Sequence, residues 1–362
     1  MPEDISFELE DKTFQKLKEK KQEMGFENSS WDEWFKSVFE VEPEKVDKKI
    51  IEDIFQKNNL EKYYDDWIRN FGDNLPFMKN DSSLHEIIPR NIDSIPKSSI
   101  VIGRGPSLKE KKHLEILSES NFSGNIICTD GVLPTALKAG ITPDKFENFY
   151  VVTIDVQEHQ KKFYQDELVK KYGNKIKCIL SSTVPLSTYQ SIKENNIKIF
   201  WFHALVDYDR NKTSFNHIIG TMSKSQINPK GFPSLQTGGN VGTSSWIIGW
   251  AILKSQNVCL IGLDQGYSID TPLEKLEHYN IPESINKESD SFKKAFPIVH
   301  NPDFNCDCRQ TPLYQYYCNA LKEFIEKASE KVNTINATEG GALFGNGITS
   351  MKFQDFLKNS KN

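Results

Sequence analysis

The stretch that decides the fold of this chain is residues 99–108, which reads SIVIGRGPSL. Its first half is an apolar run typical of a buried strand, and Gly103 and Gly105 then form a turn that leads into a helix. Glycines let a backbone approach a phosphate closely, and a helix N-terminus offers unpaired N–H groups. Ser107 is predicted to be the helix N-cap, with Glu110 completing a capping box. The stretch therefore predicts an anion-binding turn between a strand and a helix.

The same alternation of short apolar runs and helical segments continues from residue 96 towards the end of the chain. Apolar strands separated by amphipathic helices are typical of a parallel sheet covered on both faces. We therefore predict an α/β fold with a Rossmann-like, mostly parallel sheet and helices on both faces. The predicted strands are Ser99–Ile102, Asn125–Thr129, Phe149–Ile154, Ile176–Leu180, Ile197–Phe202, Asn257–Ile261 and Lys331–Ile335. The predicted helices are Lys109–Ser120, Leu133–Ala139, Gln160–Tyr172, Leu186–Glu194, Thr243–Lys254 and Leu313–Ala328.

Composition divides the chain into regions. Residues 1–95 are charged and carry apolar residues at helical spacing, which predicts a helical N-terminal region before the α/β domain at 96–345. Residues 268–300 are polar, contain prolines and lack periodicity, so we predict an insertion or lid there. Residues 346–362 are predicted to form a helical tail. Both packing against the main domain and binding of a partner or a second copy stay open for the N-terminal helices.

The bulk properties restrict the classes of partner. The net charge of the 362 residues is −5, which argues against general binding to nucleic acid. No apolar run reaches the roughly 18 residues of a membrane span, and the acidic start does not look like a signal peptide. A cytoplasmic protein without a membrane span is therefore expected.

Acidic residues follow three of the predicted strands, namely Asp130, Asp155 and Asp264. Ligands of open parallel sheets bind beyond the carboxyl ends of the strands, where carboxylates bind ribose hydroxyls or Mg²⁺. We predict Asp130 and Asp155 as Mg²⁺ ligands, and Asp155 and Asp264 as catalytic groups. For each acid alone, a helix cap or a turn is the alternative role.

Two further polar segments are predicted to reach the same crevice. Residues 237–243 read TGGNVGT and precede a helix, and residues 336–342 read NATEGGA and follow the last strand. Glycines before a helix again suit close approach to an anion or a sugar. On this interpretation, Gly103→Val removes ligand binding and leaves the fold largely intact. The predicted nucleotide contacts are Gly103, Gly105, Pro106, Ser107, Asp130, Gly238, Gly239, Asn240, Asn336, Thr338, Glu339 and Gly340.

A histidine and a group of cysteines complete the candidates. His203 follows a predicted strand and is a candidate general acid or base, with a structural histidine as the alternative. Cys306, Cys308 and Cys318 lie close together in sequence. Their spacing leaves open a zinc site or, as the better interpretation, reduced structural cysteines.

Taken in order, these motifs resemble the MptE-like 6-hydroxymethylpterin diphosphokinase domain, whose core is similar to that of Maf (motility-associated factor) flagellin glycosyltransferases. The first turn also resembles the nucleotide loop of bacterial CMP-sialic-acid transferases. The resemblance covers roughly residues 96–345. The matching motifs are Gly103–Leu108, Asp130-Gly131, Thr153–Asp155, Gly238–Asn240 with Gly262–Asp264, and Asn336–Gly341.

This resemblance implies a nucleotide-dependent transferase. The pterin enzymes transfer diphosphate from ATP to a pterin alcohol with Mg²⁺, which is the activity we expect. Maf-like members transfer a nonulosonic acid from a CMP-sugar donor to protein, which is the alternative, and a non-catalytic nucleotide sensor is the second alternative. The chain departs from the pterin enzymes at residues 153–157, which read TIDVQ and lack one acid of the family pattern.

Overall fold

The computed structural model describes residues 11–25, 31, 34, 62–91, 95–206, 214–226, 228–276 and 290–360. The chain divides into two compact units, Met1–Ile54 and Phe55–Asn362. In the first unit, a helix spans Asp11–Glu23, and Trp31 contacts both Phe14 and Trp34. The second unit includes the helix at residues 62–78, which lies within the predicted helical N-terminal region.

Asparagines anchor this helix to the strand ends of the second unit. Asn70 donates a hydrogen bond from Nδ2 to the carbonyl of Thr183, and Asn74 donates from Nδ2 to the carbonyl of Val184. Both side chains are buried, and Asn74 is 0% exposed. A buried amide that satisfies backbone carbonyls fixes a helix against a loop. The helix is therefore an integral part of the α/β unit.

The strands, in chain order, are β1 (Ser82–Ser83), β2 (Ser98–Ile102), β3 (Asn125–Thr129), β4 (Phe149–Thr153), β5 (Lys177–Ser181), β6 (Lys198–Ala204), β7 (Ser234–Leu235), β8 (Asn257–Ile261), β9 (Tyr267–Ser268), β10 (Ile298–Asn301), β11 (Cys306–Arg309), β12 (Asn333–Asn336) and β13 (Ile348–Ser350). The large sheet has the order β1-β6-β5-β4-β3-β2-β8-β12-β13, and β7 pairs with β6. Its strand pairs are parallel. The predicted mostly parallel sheet is confirmed.

The helices, in chain order, are α1 (Asp11–Glu23), α2 (residues 62–78), α3 (Ser107–Glu110), α4 (His113–Glu119), α5 (Leu133–Lys138), α6 (Glu167–Tyr172), α7 (Leu186–Glu194), α8 (Phe215–Met222), α9 (Val241–Ile247), α10 (Asp290–Ala295), α11 (Pro312–Ala328) and α12 (Phe353–Asn359). A π-helical turn, Ile248–Ile252, continues α9. Short 3-10 helices lie at Leu84–Ile87, Asp130–Val132, Glu158–Tyr164, Gly173–Lys175 and Leu273–Lys275.

Alternate strand residues build two apolar cores, one on each face of the large sheet. Ile100 and Ile102 of β2 belong to one core, whereas Val101 belongs to the other. Successive side chains of a strand point to opposite faces, so fully apolar strands require cover on both sides. Leu117 of α4 packs in the first core, and Trp246 of α9 packs in the second. Helices on both faces are thus confirmed.

Two predicted helices are interrupted. The segment predicted as Lys109–Ser120 divides into α3 and α4, because Lys112 has a left-handed backbone with φ of 54°. The segment predicted as Gln160–Tyr172 begins as a 3-10 helix and becomes α-helical only in α6. Asp166 accepts a hydrogen bond from the backbone N–H of Leu168 and so caps α6 at this break.

The insertion and the tail contain strands that the sequence pattern did not predict. At the two ends of the predicted insertion and just beyond it, β10, β11 and β9 form a small antiparallel sheet, with Cys308 of β11 buried in the second core. Cys318 is also buried, and its Sγ donates to the carbonyl of Ala342. In the tail, β13 pairs with β12 before α12 begins. The middle of the predicted lid, residues 277–289, lies outside the described residues.

Candidate functional site

A cavity of about 920 Å³ opens at the carboxyl ends of the parallel strands. It extends along the ends of β2, β3, β4, β6 and β8, the location expected for a ligand in an open α/β sheet. Residues 236–242 and the first turns of α11 complete its wall. Aromatic side chains line one wall of the cavity. In this wall, Tyr314 lies edge-on to both Tyr267 and Tyr317.

The turn after β2 is held against the turn after β8. The N–H groups of Gly103 and Gly105 donate to the carbonyls of Ile261 and Gly262 at 2.9 and 2.8 Å. A Cβ on Gly103 would lie 2.3 Å from the carbonyl oxygen of Gly262, and one on Gly105 would lie 1.8 Å from Oδ2 of Asp264. The two glycines therefore allow two loops to cross, and their N–H groups hold that crossing. The predicted phosphate cradle from these N–H groups does not fit this geometry.

Asp264 caps the short helix α3 from the neighbouring loop. Its Oδ2 accepts from the hydroxyl of Ser107 at 2.8 Å, and its Oδ1 accepts from the Ser107 N–H at 3.3 Å. Pro106 is the N-cap residue and makes no side-chain cap bond, so the prediction of Ser107 as N-cap was wrong. Asp264 is 8% exposed, and its carboxylate is engaged. This geometry suits a positioning residue rather than the catalytic group that we predicted.

Burial also makes the stability of this cap dependent on pH. Removal from water raises the pKa of Asp264 to about 6, although the Ser107 bonds oppose the rise. The folded state therefore keeps the proton over a range in which the unfolded chain has released it. Between pH about 4 and 6, the contribution of Asp264 to the free energy of unfolding thus falls as pH rises.

We predict that Asp264→Asn flattens this pH dependence, because asparagine keeps an oxygen acceptor for Ser107 and carries no charge. Between pH 4.5 and 7, the free energy of unfolding of the wild type should fall by up to about 2 kcal/mol more than that of the variant. Urea unfolding at both pH values measures the difference. Parallel losses in the two proteins would contradict the assignment.

Asp130 and Asp155 face the same cavity. Oδ1 of Asp130 accepts from the Gly131 N–H at 2.7 Å, and Oδ2 of Asp155 accepts from Nε2 of Gln160 at 2.6 Å. The pKa of Asp130 is raised to about 7, mainly by burial; the negative charge of Asp155 contributes to this rise, and the positive charge of Arg104 opposes it. The two carboxylates and the Arg104 guanidinium are therefore electrostatically coupled. The structure brings together the two predicted Mg²⁺ ligands.

These carboxylates fit a hard divalent cation. Mg²⁺ is held in nucleotide sites by one or two carboxylates together with substrate phosphates and water. Asp130 is 5% exposed and repelled by Asp155, and a cation between the two carboxylates would relieve that repulsion. Within the described residues, no group of three or more His, Cys, Asp or Glu side chains is placed to hold a metal. A cation here would therefore need ligands from the substrate.

The second glycine loop lines the cavity, as its position in the sequence suggested. Gly238 and Gly239 have positive φ values of 56° and 80°, and Asn240 caps α9 by accepting from the Thr243 N–H at 2.9 Å. A Cβ on Gly239 would lie 2.8 Å from the ring of Tyr317. The loop thus packs directly under the aromatic wall formed by α11.

The third predicted segment, which begins at Asn336, makes its hydrogen bonds within the protein fold. The side chain of Asn336 bonds to the carbonyl of Leu343 and the N–H of Thr338, and Thr338 donates to the carbonyl of Leu260. Glu339 accepts from the N–H of Phe353 at the start of α12. Gly340 lies in the same turn. These four residues do not line the described cavity, because β12 lies next to the sheet edge beyond β8.

His203 is a buried structural histidine. It is 1% exposed, its Nδ1 lies 3.0 Å from the Ser182 hydroxyl, and its Nε2 lies 2.8 Å from Oδ1 of Asn216. Both ring nitrogens are thus engaged inside the protein, and His203 is absent from the lining of the described cavity. This position does not fit the predicted acid–base role.

Several cavity residues were missed in the sequence. Arg104 lies between the two glycines, and Lys62 and Lys162 add positive charge to the lining. The sequence could have indicated Arg104 as a binding residue, because a cationic side chain inside a strand-turn-helix motif is suited to bind an anion. No sequence pattern distinguishes Lys62 and Lys162, since lysines are frequent throughout the chain.

Gln265 is the other missed residue. Its backbone has a left-handed φ of 53°, which costs a non-glycine residue about 1–2 kcal/mol. Gln265 is 6% exposed and is one of the residues that line the cavity, and its buried Oε1 has no hydrogen-bond partner among the described residues. A buried carbonyl oxygen without a partner carries a further cost of about 1–3 kcal/mol.

Comparison with known proteins identifies the family. The sequence matches the family described as 6-hydroxymethylpterin diphosphokinase MptE-like over residues 69–270, which is more than half of the chain. No curated protein matches the chain significantly.

A solved structure, the MAf glycosyltransferase from Magnetospirillum magneticum AMB-1, is similar with a TM-score of 0.52 and 14% sequence identity. The match covers 82% of this chain and 40% of that chain, so this protein spans less than half the length of that relative. Identity this low shows a shared fold. Taken with the sequence match, the fold and the placement of the site, the chain belongs to the MptE-like family.

Proposed function

We propose that this protein is a nucleotide-dependent transferase that moves diphosphate from ATP to the hydroxyl of a 6-hydroxymethylpterin-like acceptor with Mg²⁺. The observation that carries the proposal is the convergence of Asp130, Asp155 and Arg104 on one cavity at the strand ends. Paired carboxylates next to a guanidinium are suited to a metal-bound polyphosphate. The family match supports the same class of reaction.

The reaction is a displacement at the β-phosphorus of ATP. The acceptor oxygen forms the new P–O bond, the bond to the α-phosphate oxygen breaks, AMP leaves with the electron pair, and the hydroxyl proton passes to solvent or a nearby base. Negative charge spreads over the transferred phosphates during this step. Arg104, with Lys62 and Lys162 on the cavity lining, is suited to bind that charge. Asp130 and Asp155 would hold Mg²⁺, and the bound ion would neutralise phosphate charge.

A third side chain supports the orientation of the acids. Gln160 donates from Nε2 to Asp155 and also lies 3.1 Å from Nε2 of His159, a second cavity residue. Gln160 is 6% exposed, so its amide is fixed by packing. Asp155 is thereby oriented before any ligand binds, which lowers the reorganisation needed for the reaction.

Calorimetric titration of the full chain with ATP and CMP, each with and without Mg²⁺, tests the proposal together with an assay of AMP release. We expect Mg²⁺-dependent ATP binding and AMP formation when the pterin alcohol is added. Preferential CMP binding that is independent of Mg²⁺ would replace the proposal with glycosyl transfer from a CMP-sugar. Tight binding of ATP without turnover of any acceptor would indicate a nucleotide sensor.

We predict that Arg104→Met weakens ATP binding by about 10- to 100-fold, because a charge-assisted bond to phosphate contributes about 1.5–3 kcal/mol. Lys254→Met is the matched control. Lys254 is an exposed cation between α9 and β8, away from the cavity lining. The same titration measures both variants, and equal affinities in Arg104→Met and the wild type would remove Arg104 from the phosphate site.

A further inference from the structure

We propose that Thr153 and Tyr164 are positioning residues, which hold the Asp130 carboxylate in the orientation needed to bind a divalent cation. The inference rests on the proposed function, because the cation is the Mg²⁺ that accompanies the donor nucleotide. It adds to that function a chain of buried hydroxyl groups behind the site. Neither Thr153 nor Tyr164 lines the described cavity, so both act through Asp130.

The first argument is the position of Thr153 beside Asp130. The strands β3 and β4 are parallel neighbours in which Thr129 is paired with Val152. The next residues along these strands, Asp130 and Thr153, therefore lie side by side, and the Thr153 hydroxyl hydrogen-bonds to the Asp130 carboxylate. Oδ1 of Asp130 also accepts from the Gly131 N–H at 2.7 Å. Two donors thus hold the carboxylate, one from the backbone and one from a side chain.

The second argument is the continuation of this contact into the protein interior. Oγ1 of Thr153 lies 2.6 Å from the Tyr164 hydroxyl, and that hydroxyl lies 3.7 Å from Sγ of Cys178. Thr153, Tyr164 and Cys178 are each 0% exposed, whereas Asp130 lines the cavity. A closed chain of buried polar groups has its geometry fixed by packing. The chain therefore connects the protein core to a carboxylate at the cavity.

The third argument is the direction of the hydrogen bonds. An ionised carboxylate accepts only, so the one hydroxyl hydrogen of Thr153 is used in the bond to Asp130. Oγ1 of Thr153 then accepts from the Tyr164 hydroxyl, whose oxygen accepts from the Cys178 thiol. Each donor of the chain thus points towards Asp130. Hydrogen-bond partners of this kind orient the carboxylates that bind metal ions in proteins.

A purely structural role for the same hydroxyls makes a different prediction. Thr153→Val leaves the buried Tyr164 hydroxyl without an acceptor and should destabilise the fold. The double variant Thr153→Val/Tyr164→Phe removes both polar partners, and replacing a buried pair by apolar groups of the same shape is close to neutral for stability. If the hydroxyls only stabilise the fold, the double variant should regain cation binding together with stability. If they position Asp130, it should regain stability alone.

The experiment measures how much Mg²⁺ strengthens nucleotide binding. The probe is α,β-methylene-ATP, in which the bond broken in the proposed reaction is replaced, titrated by calorimetry with and without Mg²⁺ in the absence of acceptor. The ratio of the two affinities is the Mg²⁺ enhancement. The proteins are the wild type, Thr153→Val, Thr153→Ser, Tyr164→Phe, the double variant and Tyr150→Phe. Tyr150 also lies in β4, is 6% exposed and does not line the described cavity, so it is the matched control.

We expect the Mg²⁺ enhancement to fall about 10-fold or more in Thr153→Val and in the double variant. Tyr164→Phe should lower it by about 3- to 10-fold, because this hydroxyl acts one hydrogen bond further from Asp130. Thr153→Ser keeps the hydroxyl and should stay within about twofold of the wild type, as should Tyr150→Phe. Urea unfolding should show that the double variant is more stable than Thr153→Val. Tyr164→Phe and the double variant give the same comparison where Thr153→Val folds poorly.

An enhancement that stays at the wild-type value in Tyr164→Phe and in the double variant would overturn the inference and leave the proposed function standing. Recovery of both stability and enhancement in the double variant would assign the hydroxyls to the fold alone and also overturn it. A loss in Thr153→Ser as large as that in Thr153→Val would show that the hydroxyl is not the group responsible. A wild type that binds no nucleotide, or binds it without Mg²⁺ enhancement, would remove the proposed function and this inference together.

Discussion

Gly103→Val is expected to destabilise the α/β unit by at least about 3 kcal/mol and to leave little folded protein. The new Cβ would lie 2.3 Å from the carbonyl oxygen of Gly262 and 2.5 Å from Cδ2 of Leu263. A Cβ on Gly262 would likewise lie 2.8 Å from the carbonyl oxygen of Gly103, so the two backbones are in close contact from both sides of the crossing. The valine therefore separates β2 from β8 at the loop crossing.

Urea unfolding of the purified variant, or its yield in the soluble fraction, measures this effect. Gly72→Val is the matched control, because Gly72 lies within α2 and a Cβ there would meet no atom within 4 Å. Valine also has a higher helix propensity than glycine, so this control should fold at least as well as the wild type. A Gly103→Val protein that melts like the wild type and lacks only nucleotide binding would restore the original prediction of a pure ligand contact.

Loss of the fold and loss of ligand binding alone are the two expectations for Gly103→Val, and the difference between them shows what a sequence pattern does not predict. The pattern GRG identifies a turn after a strand, and β3 and β8 have the predicted bounds because each is a continuous apolar run between polar residues. The pattern does not indicate what lies against each glycine. That partner comes from the loop around Gly262, more than 150 residues away in the chain, and depends on β2 pairing with β8.

Short and polar strands were the elements missed. β1 and β7 have two residues each, and β13 has three, so none is long enough to show a period of two. They form because the backbones of β6 and β12 offer unpaired groups next to them. Strand pairing of this kind depends on tertiary contacts rather than on local preference.

In the candidate site, the acids at the ends of adjacent central strands were predictable. Asp130 and Asp155 follow β3 and β4, which are neighbours in the sheet, and both line the cavity. The position of the segment that begins at Asn336 was not predictable. Its strand β12 lies next to the edge strand β13, and its polar side chains form hydrogen bonds within their own turn. Strand order decides between these outcomes, and a single sequence does not contain it.

Asp155→Asn is expected to lower the rate of AMP release by about 100-fold or more, with a change in unfolding free energy below about 1 kcal/mol. The loss of activity follows because a charged metal ligand and neutraliser of phosphate repulsion contributes several kcal/mol to the transition state. The stability change should stay small because the asparagine oxygen keeps one of the two hydrogen bonds that the carboxylate accepts, the bond from Nε2 of Gln160 at 2.6 Å, and loses only the longer bond from the Gln157 N–H at 3.2 Å.

Steady-state kinetics at several Mg²⁺ concentrations separates the effects of this substitution. A metal-binding role predicts that Asp155→Asn needs more Mg²⁺ for half-maximal rate, whereas a purely structural role leaves that concentration unchanged. Asp144→Asn is the matched control, because Asp144 is about half exposed and pairs with Lys175 at the surface, where ion pairs contribute little. Unchanged turnover in Asp155→Asn would end its assignment to the reaction. The variant also removes the Asp155 charge, which adds to the effect of burial in raising the pKa of Asp130, so any pH dependence of the rate that arises from Asp130 should shift to lower pH.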